Sequence, residues 1–174
     1  TSAVCVTGLI VQDTPVHFSA FGQLVILLLI QAGGLGYMTI STVLAAALGR
    51  SVTLQERLNL QEGLNVQGLD GLLRFAGTVF RLTLIFELAG ALVLAIRWSG
   101  DLGVGRAAWY GLFHAVSAFN NAGFALWSDS LIRWRGDVTV NLVISVLIIV
   151  GGLGFFVLAE EFRRPRQGRL SVHT

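Results

Sequence analysis

The sequence predicts an all-α integral membrane protein built from repeats of helix, re-entrant short helix, extended loop and helix. Three observations carry that prediction. Of 174 residues, 54% are hydrophobic and 13% charged, about half the charged share of a soluble domain, and the mean hydropathy is +0.73. The charges avoid two long runs, Phe18–Leu48 with 31 residues and Val138–Ala159 with 22. Each is long enough for a bilayer core, which takes about 20 apolar residues in a helix. Finally, two glycine-bearing segments recur along the chain at nearly constant spacing. The first two observations exclude a water-soluble enzyme domain, and the third sets the architecture.

Simple counts remove other classes. The 12 basic residues, all Arg, barely exceed 10 acids and lie at segment ends, so no nucleic-acid partner is expected. Cys5 is the only cysteine, which excludes an internal disulfide and a thiolate metal cluster. Because the sequence opens on Thr1 and its one Met, Met38, lies inside an apolar run, it is expected to be an internal piece of a longer polypeptide.

Residues 1–17 are turn-rich, with Gly8, Asp13 and Pro15, and too short to span. As one helix, Phe18–Leu48 would reach about 46 Å. It is expected either to cross and protrude or to break at Gly33-Gly34-Leu35-Gly36. Residues 49–74 are polar, with Arg50, Arg57 and Arg74 balancing Glu56, Glu62 and Asp70. Within them Thr53-Leu54-Gln55-Glu56 forms a capping box that opens a short amphipathic helix. Phe75–Ile96 is a second span, carrying Arg81 near one end and Glu87 near its middle. Trp98 to Arg106 is a Gly-rich connection. Ala107–Phe119 is apolar and helical in pattern, but its reach of about 20 Å is a re-entrant length rather than a spanning one. It runs into Asn120-Asn121-Ala122-Gly123-Phe124, a polar stretch unsuited to lipid. Polar residues 128–137 lead to the third span, Val138–Ala159, and the end is basic with Arg163, Arg164, Arg166 and Arg169.

Arginine placement gives the orientation. Eight Arg residues fall in or beside residues 49–74 and 160–174, against four between Arg97 and Asp137. Residues 49–74 and 160–174 are therefore expected in the cytoplasm, with 1–17 and 97–137 outside. That topology requires Ala107–Phe119 to dip in and return by the same face.

Laid on itself, the chain aligns Ser2-Ala3-Val4-Cys5-Val6-Thr7-Gly8-Leu9 with Ser117-Ala118-Phe119-Asn120-Asn121-Ala122-Gly123-Phe124, an offset of 115. Further on, Gly33-Gly34-Leu35-Gly36-Tyr37 aligns with Gly151-Gly152-Leu153-Gly154-Phe155, an offset of 118. The repeating unit is an outward span, a pore helix, a Gly-containing extended stretch and an inward span; the first copy lacks its outward span and most of its short helix. Non-helical backbone at membrane depth must be buried in protein or line a water-filled path, where carbonyl rings can replace a cation's hydration shell. Gly8 and Gly123 sit where unusual backbone conformations would be needed. Val6, Thr7, Gly8, Asn120, Asn121, Ala122 and Gly123 are thus the candidate selectivity filter.

Other residues carry two readings each. Gly33, Gly34 and Gly36, with Gly151, Gly152 and Gly154, suit close helix packing or a hinge. Glu87 costs about 2.5–3.5 kcal/mol in mid-span; it is either a hydrogen-bond partner for a neighbouring helix or a cation-attracting site. His114 is read as a packing or hydrogen-bonding residue. Trp98, Trp109, Trp127 and Trp134 suggest an interface belt, and residues 50–74 either a solvated loop or a docking site for a cytosolic regulator.

The runs Thr1-Ser2-Ala3-Val4-Cys5-Val6-Thr7-Gly8-Leu9, Ile30-Gln31-Ala32-Gly33-Gly34-Leu35-Gly36 and Ala118-Phe119-Asn120-Asn121-Ala122-Gly123-Phe124 resemble the bacterial Trk/Ktr potassium-transporter family. So do Leu54-Gln55-Glu56-Arg57 and Leu170-Ser171-Val172-His173-Thr174. The resemblance covers essentially the whole chain. It implies a voltage-independent K+-channel-like architecture of four pore-loop repeats, with Gly8 and Gly123 as first and second filter glycines and K+ held by backbone carbonyls near them. K+ is then the transported ion, with Na+ a further candidate; the chain has no cofactor of its own, and nucleotide acts only through a regulatory partner. Implied partners are the remaining pore repeats, a second pore subunit in a homodimer, a cytosolic nucleotide-binding ring and membrane lipid. The expected location is the cell (cytoplasmic) membrane, multi-pass.

The expected divisions are 1–48, the end of the first repeat; 49–74, a cytoplasmic linker; 75–159, the complete second repeat; and 160–174, a basic cytoplasmic tail. The family's intramembrane gating loop and gate-associated Arg belong to repeats three and four, which lie outside this chain. Cys5 stands where many relatives carry a small hydroxyl residue, and a buried thiol is expected to substitute at little cost. An enzyme is not expected, since no His/acid cluster occurs and Cys5 has no nearby base. The alternative to a pore is a secondary cation symporter that binds at midplane between broken helices.

Overall fold

The computed structural model describes residues 1–36 and 69–152, apart from the side chains of 69–76. Its regular elements are helical: α1 (Thr14–His17), α2 (Ala20–Gly34), α3 (Leu69–Leu102), α4 (Val104–Phe119), a 3-10 turn (Ile132–Trp134) and α5 (Val138–Gly152). The expected capping-box helix at Thr53, the remainders of the first and third spans, Gly154 and the basic tail lie outside the described residues.

Pro15 sits in the first turn of α1, where its missing N–H costs nothing. Ser19 caps α2 by accepting from the Gly22 N–H at 3.4 Å. This helix stops at the glycine cluster: the Leu35 N–H bonds Gln31 O at 3.1 Å and the Gly36 N–H bonds Gly33 O at 3.0 Å. Helix α2 thus ends within the glycine cluster, and the rest of the charge-free run lies outside the described residues.

Helix α3 is 34 residues long, starting inside the polar segment 49–74 and running past Ile96. Its stretch Gly77–Leu102, 26 residues, is the one helix among the described residues long and apolar enough to cross a membrane. The extra turn beyond Ile96 is supported by the Arg97–Asp101 pair at 3.3 Å and by Ser99 Oγ donating to Ile96 O at 2.8 Å. The chain then reverses at Gly103 into α4, whose 16 residues reach about 24 Å. Asp137 opens α5, its Oδ1 accepting from the Val140 N–H at 3.1 Å.

Helix α4 is central, packed along α3 and against α5 and α2. Gly111 makes the α3 approach close, since a Cβ there would lie 2.6 Å from Ala91 O. From Phe113 to Asn120 every residue of α4 and its C-cap is buried. Leu94, Trp98, Ala107, Phe119, Trp127 and Leu147 form one core cluster; Ile26, Ile30, Phe113, Val116, Phe124 and Leu126 form another. Leu28, Ile85, Leu92 and Ile149 face outward from the other helices.

The tryptophans correct an expectation. Trp98 is 0% and Trp127 8% exposed, and Trp109 and Trp134 are half-buried, so they do not form a belt. Trp98 meets Trp127 edge-on at 4.9 Å and Trp134 at 5.7 Å, and His114 lies 4.6 Å from Trp127. The loop after α4 folds back over the α3–α4 turn, so these rings bury against each other. Arg97 lies over Trp134 at 5.3 Å and pairs with Asp137 at 2.6 Å, which closes α3 onto the start of α5.

Candidate functional site

Two short segments far apart in sequence share one backbone geometry. Near the start of the chain the Cys5 N–H bonds Thr1 O (2.9 Å), Val6 bonds Ala3 O (3.4 Å) and Thr7 bonds Ser2 O (3.1 Å). At the end of α4, Asn120 bonds Val116 O (3.1 Å), Asn121 bonds Ala118 O (3.0 Å) and Ala122 bonds Ser117 O (2.8 Å). Every donor and acceptor pair matches at the offset of 115. Val6 and Asn121 have φ of +49° and +57°, and Gly8 and Gly123 have +70° and +73°. The paired six-to-one and five-to-two bonds around a left-handed residue are a Schellman closure. The second segment closes α4 and the first repeats the same closure as an isolated turn, each followed by backbone in a conformation that glycine adopts freely.

The two segments meet at their glycines. A Cβ on Gly8 would fall 2.7 Å from Ala122 O and 3.2 Å from Gly123 Cα, and one on Gly123 would lie 3.4 Å from Gly8 Cα. Bare main chain from both segments is in contact here. Thr7 and Ser2 share a hydroxyl hydrogen bond of 3.0 Å, while Ser117 Oγ donates to Phe124 O at 2.7 Å. Each loop is braced by a hydroxyl from its own turn.

Helix glycines support the segments from behind, again in matched positions. A Cβ on Gly33 would overlap Val4 O, and one on Gly151 would overlap Phe119 O; Val4 and Phe119 each lie four residues before Gly8 and Gly123. Of the packing and hinge readings, the described contacts involve packing at both glycines. Gly34 admits the Asn120 carboxamide, which a Cβ there would overlap, and Gly152 lies with its would-be Cβ 3.8 Å from Asn121 Nδ2.

Side chains complete the bracing. Asn120 Nδ2 donates to Glu87 Oε1 (2.9 Å) and Val116 O (2.9 Å) and reaches Gln31 Oε1 at 3.4 Å. Glu87 is therefore a hydrogen-bond partner of a neighbouring element, one of its two expected roles. Asn121 Nδ2 reaches Ile148 O on α5 at 3.4 Å. His114 Nδ1 lies 2.7 Å from Tyr110 O and its Nε2 accepts from the Leu126 N–H at 3.2 Å, which assigns the proton to Nδ1 and fixes the chain just after Gly123. Trp109 Nε1 donates to Gln23 Oε1 at 3.0 Å, joining α4 to α2.

Cys5 corrects a second expectation: it is exposed rather than buried, although its counterpart Asn120 is buried. Gln31 and Gln23 escaped the sequence reading as site residues, though a Gln within a charge-free apolar run is a signal that can be read. Among the described residues no group of three His, Cys, Asp or Glu side chains is placed to hold a metal ion. Backbone carbonyls and neutral polar side chains are the chemistry available at the glycine contact. Farther out, Arg133 hydrogen bonds hold the Asp129 carboxyl below its usual range, and the Val140 N–H, with Arg97, does the same for Asp137.

Residues 1–172 match the TrkH family, described as cation transport protein. The chain is 46% identical over 173 residues to the Ktr system potassium uptake protein B of Bacillus subtilis (strain 168), covering 99% of this chain and 39% of that protein. It is 40% identical over 176 residues to the Ktr system potassium uptake protein B of Vibrio alginolyticus, covering 100% of this chain and 39% of the relative. It is 36% identical over 174 residues to the potassium/sodium uptake protein NtpJ of Enterococcus hirae, again covering 100% and 39%. The chain thus spans 39% of the length of these relatives.

Proposed function

The chain belongs to the TrkH family of cation transport proteins, and from that premise we propose that it forms part of a potassium-uptake pore in the cytoplasmic membrane. Residues 1–48 end a first pore-loop repeat, 49–74 link on the cytoplasmic side, 75–159 form a second repeat and 160–174 a basic cytoplasmic tail. Filter carbonyls come from Val6, Thr7 and Gly8 and from Asn120, Asn121, Ala122 and Gly123. The observation that carries this reading is the contact between Gly8 and Gly123, each at positive φ after the same helix closure. Bare main chain converging from two re-entrant units is what a carbonyl-lined cation path requires. Further repeats of the parent chain would complete the ring, with a second pore subunit and a cytosolic nucleotide-binding ring as partners.

A symporter binding cations at midplane is the second reading. The break of α2 at Gly34 favours it, because broken helices supply such sites. Parallel rather than inverted copies favour the pore.

The test is potassium uptake by the full parent chain in uptake-deficient cells, native against Gly123→Ser. A Cβ at φ +73° and beside Gly8 should weaken preference for K+ over Na+ while membrane expression holds. Unchanged uptake and selectivity would remove Gly123 from the ion path. Saturable uptake coupled to a second ion, in place of a selective conductance, would favour the symporter.

A further inference from the structure

Three polar side chains meet behind the second loop, each from a different element: Gln31 on α2, Glu87 on α3 and Asn120 at the end of α4. Glu87 is 2% and Asn120 8% exposed, and an acid in the middle of a membrane-crossing helix is costly. The Asn120 amide joins them, donating to Glu87 Oε1 at 2.9 Å, to Val116 O at 2.9 Å and toward Gln31 Oε1 at 3.4 Å. Gly34 closes the third side, since any Cβ there would overlap the Asn120 carboxamide. One amide thus fastens the loop to a helix of each repeat. Its counterpart in the first loop is Cys5, an exposed thiol.

Resting on the filter reading of Gly123, we propose that Glu87 is a positioning residue for ion selectivity: acting through Asn120, its carboxyl oxygen holds the 120–123 loop where its carbonyls discriminate K+ from Na+. Asn120 lies three residues before Gly123, within the tight closure that ends α4, so a shift of its side chain is passed to the loop through few backbone bonds. Carbonyl filters depend on the placement and field of a few oxygens. An apolar contact could fasten the same helices, but it would not accept the Asn120 N–H. The bond requires an acceptor oxygen on residue 87 rather than a negative charge, so shape-matched variants separate positioning from simple folding.

The experiment measures K+ uptake against competing Na+ by the full parent chain in uptake-deficient cells, with membrane expression quantified. Glu87→Leu removes the acceptor and should lower the K+/Na+ preference roughly tenfold, the scale of one buried hydrogen bond. Glu87→Gln keeps an acceptor oxygen and should stay within about threefold of native on the same reasoning. Asn120→Asp sets two carboxyl groups face to face and should lose selectivity, whereas combining it with Glu87→Gln restores a donor and acceptor in reverse and should recover it. If Glu87→Leu fails to reach the membrane, the Asn120→Asp single and its double decide the matter. Native selectivity in Glu87→Leu at normal expression overturns the proposal, as does absence of rescue in the double. Gly123→Ser is run in parallel: a selectivity shift there with a silent Glu87 series sinks only the positioning role, while a silent Gly123→Ser sinks the filter reading and this inference with it.

Discussion

At φ of +49° and +57°, Val6 and Asn121 occupy the same backbone position with unequal ease. Asn tolerates the left-handed region by bonding locally, whereas a β-branched Val there is a genuine outlier. Val6 is held because its turn bonds and its packing against the Ile26 and Phe113 cluster over-determine it. Asn121 adds a reach to Ile148 O that a Val would lack. Asn121→Val should therefore destabilise the parent chain by about 2 kcal/mol, from left-handed strain and a lost hydrogen bond. Thermal unfolding in detergent would measure this, and an unchanged midpoint would mean that the closure at residue 121 is not maintained in the whole protein.

Among the elements, α5 depends on how its first turn is held. Asp137 caps it through the Val140 N–H and pairs with Arg97 of α3, and its side chain is 11% exposed. Both contacts hold its carboxyl below the ordinary range. A carboxyl lowered on folding contributes stability above its unfolded pKa, near 3.9, and loses it as pH falls through the lower folded value. Unfolding midpoints should therefore be flat from neutral pH down to the usual carboxylate range and fall in stronger acid. Asp137→Asn should lower the midpoint near neutral pH by a few degrees and blunt the acid slope. An identical acid slope in that variant would assign the pH dependence to other carboxylates.

Across the whole molecule, the tryptophan and histidine cluster does what a belt would not. It joins the end of α3, the middle of α4 and the loop that leads to α5, and through His114 it holds the Leu126 N–H just downstream of Gly123. Removing Trp98, which is wholly buried, should cost about 3–5 kcal/mol as a large cavity. Trp98→Ala should accordingly depress the unfolding midpoint of the parent chain well beyond the effect of Asp137→Asn. A midpoint equal to native would place Trp98 against lipid after all and restore the belt.

Much of the architecture was legible because it is written locally. Charge-free runs, the 115-residue offset between the two glycine loops and the sub-spanning length before Asn120 are each properties of a short stretch. They carried the helical class and singled out the two glycine loops that the structure brings together. The sequence left Glu87 between two roles, the glycine clusters between packing and hinge, and the tryptophans as a belt. Those depend on which helices adjoin, and no local pattern carries that information. Only the tertiary structure set Asn120 beside Glu87 and Gln31, brought Gly8 onto Gly123, and buried Trp98 and Trp127. An indole suits lipid headgroups and a protein core equally well, so the fold of the chain around it decides which it meets.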